Sequence, residues 1–97
     1  MNLLETLHEQ RARHDILLMA HIVIGYPSLS ASLELVDAMV GAGVDLIELQ
    51  IPFSEPMADG PVIVHANQQA LKQGIKVEQC FDFAATVARR HPIPFLF

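Results

Sequence analysis

Glu48 and Asp59 stand close enough along this chain for one strand and the loop leaving it to deliver both to a single pocket. Two carboxylates in unequal surroundings divide acid–base work. The more desolvated one holds a proton to give; the other accepts a proton or stabilises positive charge. Each also has a plainer use. An inward-facing Glu48 can pair with a basic side chain from a strand beyond this segment. Asp59, just ahead of Gly60 and Pro61, suits an Asx turn or the cap of the next helix.

The elements that must position these groups follow from the hydrophobic pattern. Asn2 to about Arg13 reads as a helix capped by Asn2, with Leu3, Leu4 and Leu7 on one face. Ile16 to Ile24 is nearly all apolar and stops at Gly25-Tyr26-Pro27, the signature of a strand buried on both faces. A second helix from about Ser30 to Val40 takes Ser30 or Ser28 as its cap. It carries the stripe Leu33, Val36, Met39 and Val40, and ends at Gly41 and Gly43. Val44 to Ile51 is a second strand, closed by Pro52 because proline has no N–H for the ladder.

The stretch from Pro52 to Pro61 is long for a strand-to-helix connection, and long loops in compact domains often carry function. Helices are expected from about Val62 to Lys72 and from about Val77 to Arg90, the latter with Val77, Phe81, Ala84 and Ala88 on one face. Ile93 to Phe97 begins a third strand. Alternating strands and helices imply a parallel sheet with right-handed crossovers. In the second strand Ile47, Leu49 and Ile51 share one face, suited to packing on helices. Leu46, Glu48 and Gln50 share the other. Glu48 thus lies near the C-terminal end of its strand, where barrel enzymes keep their chemistry. Three strands do not close a barrel, so residues 1–97 are expected to be one partial domain of a longer protein.

Composition narrows the function classes. Of 97 residues, 52% are hydrophobic and 18% charged, which excludes a disordered chain. A formal net charge of −5 with six Lys and Arg argues against binding nucleic-acid phosphates. Cys80 is the one cysteine, so no internal disulfide can form; it reads as a buried, inert thiol in a reduced, cytoplasmic setting. Neither a signal peptide nor a membrane span is expected. Of the five histidines, His8 and His14 are spaced to fall on different helix faces, so no metal site is expected. His21 reads as a core or pocket-wall residue, and His65 and His91 as surface or helix-end residues.

The run Glu48-Leu49-Gln50-Ile51-Pro52-Phe53-Ser54-Glu55-Pro56-Met57-Ala58-Asp59-Gly60-Pro61 closely resembles the signature E-L-G-[VI]-P-F-S-D-P-x-A-D-G-P of the tryptophan synthase alpha chain family. Gly25-Tyr26-Pro27-Ser28, Ala42-Gly43-Val44-Asp45 and Gln79-Cys80-Phe81 agree with it. The resemblance spans essentially the whole chain and about the first third of that family's (β/α)8 TIM barrel. It implies retro-aldol cleavage of indole-3-glycerol phosphate to indole and glyceraldehyde 3-phosphate, a step in tryptophan biosynthesis that uses neither metal nor cofactor. By the motif, Glu48 is the general acid/base and Asp59 holds the indole N–H. His21 and Ile63 fall at substrate-binding positions. Pro52 and Glu55 belong to a loop facing a beta chain in an alpha2beta2 complex, and that partner carries the PLP.

Several positions depart from the pattern. Gln50 replaces a glycine, Glu55 an aspartate and Val64 a glutamine. Val23-Ile24 stands where Thr and a small or aliphatic residue are usual. His21 stands where an aromatic residue lines the indole pocket. Lys76-Val77 replaces a Thr-Pro that would cap and start a helix. Two alternatives to the lyase follow. One is a non-catalytic product or module that binds a beta-type chain. The other is a paralogue acting on a related phosphate.

Overall fold

The computed structural model describes residues 2–53 and 60–97. Its elements run α1 (Leu3–Arg13), β1 (Met19–Val23), α2 (Leu29–Gly41), β2 (Leu46–Gln50), α3 (Pro61–Lys72), α4 (Val77–Arg90) and β3 (Phe95–Leu96). The strands form one parallel sheet in the order β1-β2-β3, with β2 central. Their alternation sends Ile22, Ile24, Ile47 and Leu49 to one side, where they bury against Val36 of α2 and Cys80, Phe83 and Val87 of α4. Ile24, Val36, Ile47 and Val87 are fully enclosed. Each such aliphatic side chain contributes about 1.5–3 kcal/mol. A smaller cluster joins Val23 to Ala66 and Ala70 of α3.

Local chemistry sets the element ends. The Asn2 side chain accepts from the Glu5 N–H at 2.9 Å and so starts α1 as expected. At α2 the cap is Ser28, whose Oγ accepts from the Ala31 N–H at 3.1 Å. The helix therefore begins two residues earlier than a Ser30 cap would place it. The Ser32 hydroxyl, fully buried, accepts from the Gly25 N–H and hydrogen-bonds the Ser28 carbonyl, tying the β1–α2 turn together. Gly25 has φ +92, a conformation that favours glycine, and Ile75 would lie 3.2 Å from any Cβ placed there. At α4 the cap lost with Lys76-Val77 is replaced in part from inside the helix: the Gln79 side chain accepts from the Lys76 N–H at 2.8 Å.

Two expectations about packing are corrected. The buried stripe of α4 is Cys80, Phe83 and Val87, whereas Val77 and Phe81 are more than half exposed. Both stripes have helical spacing, and the surface of the sheet selects between them. Leu3 and Leu4 of α1 are exposed; the buried side chain of that helix is Gln10. His91 stands at the helix end as expected, as the C-cap of α4; there its Nε2 lies 2.7 Å from Asp37 Oδ1, tying that end to α2 with a side chain only 17% exposed. Cys80 is buried, and desolvation pushes its thiol pKa up, consistent with an inert thiol. β1 is shorter than the apolar run that encodes it. Ile16 and Leu18, ahead of it, are exposed.

Candidate acid–base site

Glu48 occupies the central strand on the side away from the α2–α4 layer, opposite Ile47 and Leu49. Its register partner on β1 is His21, which alternation sends to the same side. The two side chains approach to 3.8 Å between His21 Nε2 and Glu48 Oε1. This is within ion-pair reach but longer than a hydrogen bond. The Glu48 side chain is 44% exposed and that of His21 29%. Glu48 also lines a shallow concavity of about 350 Å³ with Gln50, Ile51, Phe53 and Phe97, where β2 and β3 end.

A buried amide anchors the end of β2. Asn67 of α3 has no exposed surface. Its Oδ1 accepts from Gln50 Nε2 and from the Phe53 N–H, each at 3.2 Å, while its Nδ2 donates to the Ile63 carbonyl at 2.8 Å. Two donors on one atom and a carbonyl on the other leave a single amide orientation that satisfies all three. Asn67 therefore fixes where the chain leaves the strand that carries Glu48. The substitution at Gln50 contributes to this anchor, since its side-chain amide reaches α3. Nothing local in the sequence marks Asn67. A polar residue on the buried side of a helix was the one available signal.

The other end of β2 is held by a second polar network. The Asp45 carboxylate accepts from the Leu18 N–H at 2.9 Å and lies 2.7 Å from His14 Nδ1, while Gln10 Nε2 donates to the Asp45 carbonyl. The Leu18 N–H leads in holding the Asp45 carboxyl below its ordinary range; burial opposes it, and His14 and Arg13 add to it. A larger hollow of about 670 Å³ opens at this end between α1 and the approach to β3, lined by residues including Thr6, Arg13, Pro92 and Phe95. It lies at the N-terminal ends of the strands, where barrels keep stability rather than chemistry.

Of the other residues singled out from the sequence, Ile63 joins the Val23–Ala66–Ala70 cluster and does not line the concavity beside Glu48. Pro52 is buried just beyond β2. The N-cap position of α3 is Gly60, which offers no side-chain cap to the helix. Asp59 and Glu55 themselves lie outside the described residues. Among the described residues, no group of three or more His, Cys, Asp or Glu is placed to hold a metal ion, and no helix is long and apolar enough to cross a membrane.

Comparison with known proteins places this geometry. The sequence model of the family described as tryptophan synthase alpha chain matches residues 7–97. A tryptophan synthase alpha chain of Syntrophotalea carbinolica is 66% identical over 92 residues, covering 95% of this chain and 36% of that protein. One from Desulfotalea psychrophila is 60% identical over 97 residues, covering 100% of this chain and 38% of its own length. The solved tryptophan synthase subunit alpha of Legionella pneumophila superposes with a TM-score of 0.89 at 32% identity, over 98% of this chain and 37% of that one. The chain thus spans little more than a third of the length of these relatives.

Proposed function

The chain belongs to the tryptophan synthase alpha chain family, as the N-terminal part of its TIM barrel, and on that premise we propose that it supplies the acid–base groups of a lyase. In the complete gene product, the reaction is retro-aldol cleavage of indole-3-glycerol phosphate to indole and glyceraldehyde 3-phosphate. A proton is delivered to the ring carbon that bears the glycerol chain. The neighbouring hydroxyl gives up its proton, and its oxygen forms the aldehyde carbonyl. The ring-to-chain carbon–carbon bond breaks, and its electron pair returns to the ring. One proton enters and one leaves, so a single carboxyl group able to give and take serves both transfers.

Glu48 is that group, and Asp59 holds the indole N–H and stabilises the charge that develops there. His21 and Ile63 belong to the substrate side of the site. The loop containing Pro52 and Glu55 meets a beta chain, which carries the PLP; the lyase step itself calls for no cofactor on this chain. The observation that carries the reading is the placement of Glu48 on the central strand, facing away from the helices and half exposed beside a concavity at the strand ends. A carboxylate on an inward strand face is costly unless it is paired or used.

Glu48→Gln in the complete gene product tests the proposal. Indole release is expected to fall about 10²–10⁴-fold with the circular dichroism spectrum unchanged, and Asp59→Asn is expected to lower it as well. Wild-type turnover in Glu48→Gln would overturn the reading.

A further inference from the structure

His21 Nε2 is buried and has no hydrogen-bond partner among the described residues. A buried ring nitrogen left unpaired is unfavourable, so it should take the nearest acceptor on offer. That acceptor is the Glu48 carboxylate at 3.8 Å. The approach is not incidental, because the sheet register sets His21 directly beside Glu48. The partly exposed Glu48 side chain can close the remaining gap of about 1 Å to a charge-assisted hydrogen bond by rotation of its own torsions.

We infer that His21 is a positioning residue for Glu48, holding the carboxylate through Nε2–H so that the Glu48 carboxyl senses the state of the imidazole. The inference rests on the reading of Glu48 as the acid–base group and deepens it. The other elements packed on β1 do not offer His21 a competing ion pair. On α2, Asp37 is engaged with Arg90 and His91, and Glu34 forms no ion pair among the described residues. On α3, His65 meets the ring of Tyr26, and Lys72 lies in the last turn. Glu48 alone, among the described groups, reaches the imidazole within ion-pair distance.

The test follows the Glu48 Cδ resonance by ¹³C NMR across the pH range in which the His21 ring signals titrate, in the complete gene product. The wild type is expected to show an inflection in the Glu48 signal at the His21 midpoint, and His21→Phe is expected to lose it. His21→Gln keeps an N–H donor but cannot ionise. It should lose the inflection too, which guards against a folding defect in the first variant. The pH profile of kcat for indole release should lose the matching inflection in both variants. An inflection that persists in both variants, or is missing from the wild type, overturns the inference. A wild-type inflection in a protein that releases no indole supports the pairing and refutes the lyase reading instead.

Discussion

Replacing Asn67 probes the anchor that holds the end of the Glu48 strand. Its side chain makes three hydrogen bonds inside the protein: two accepted by Oδ1 and one donated by Nδ2. At about 0.5–1.5 kcal/mol each, three such bonds set an upper range of roughly 1.5–4.5 kcal/mol. The structure lowers that figure. Ile63 sits in α3 four residues before Asn67, so its carbonyl keeps a helical partner when Nδ2 is removed. Phe53 is 48% exposed, and Gln50 has a further interaction of its own. The expected loss for Asn67→Leu, which keeps the volume and removes the acceptor, is therefore about 1–2.5 kcal/mol. Asn67→Ala should lose more, because it adds a void at a fully buried position. Urea denaturation of the complete gene product, with the slope m checked for constancy, reads both values. Stability of Asn67→Leu within about 0.5 kcal/mol of wild type would show that packing, not the hydrogen bonds, holds this junction.

Two further perturbations have definite signs. The Asp45 carboxyl titrates below its ordinary range when folded, so its contribution is present above the unfolded carboxylate range and is lost as pH falls through the folded value. Asp45→Asn should be less stable than wild type at neutral pH, with the gap narrowing in acid; a gap that stays constant across acid and neutral denaturation curves would refute the charge-based account. Gly25→Ala places a Cβ at φ +92 and against Ile75, and should cost about 1–2 kcal/mol. An unchanged melting temperature in that variant would mean the β1–α2 turn relaxes without cost.

Periodicity and punctuation are local properties of the chain, and they carried the order of elements. Helix and strand stand where Gly25, Pro52, Gly60 and Gly74 break the pattern. Strict alternation in β2 was enough to put Glu48 on the face opposite Ile47 and Leu49, and the run from Glu48 to Pro61 was enough to place the family. The inward face of α4 was not legible. Val77-Phe81-Ala84-Ala88 and Cys80-Phe83-Val87 both satisfy helical spacing, and only the sheet beneath decides which is covered. Nor was the β2 anchor legible, because Asn67 acts on residues 14 and 17 positions away. Asp45 likewise draws its partners from α1 and the segment before β1. The neighbour of Glu48 depended on strand register: shifting β1 by one residue would turn His21 to the other side. What the sequence by itself determined is thus each residue's local conformation and, along the strands, its face, since these follow from neighbours a few positions away. Which polar group meets which was left to the tertiary structure, because a buried donor or acceptor is satisfied only by a partner that the chain brings back from a distance.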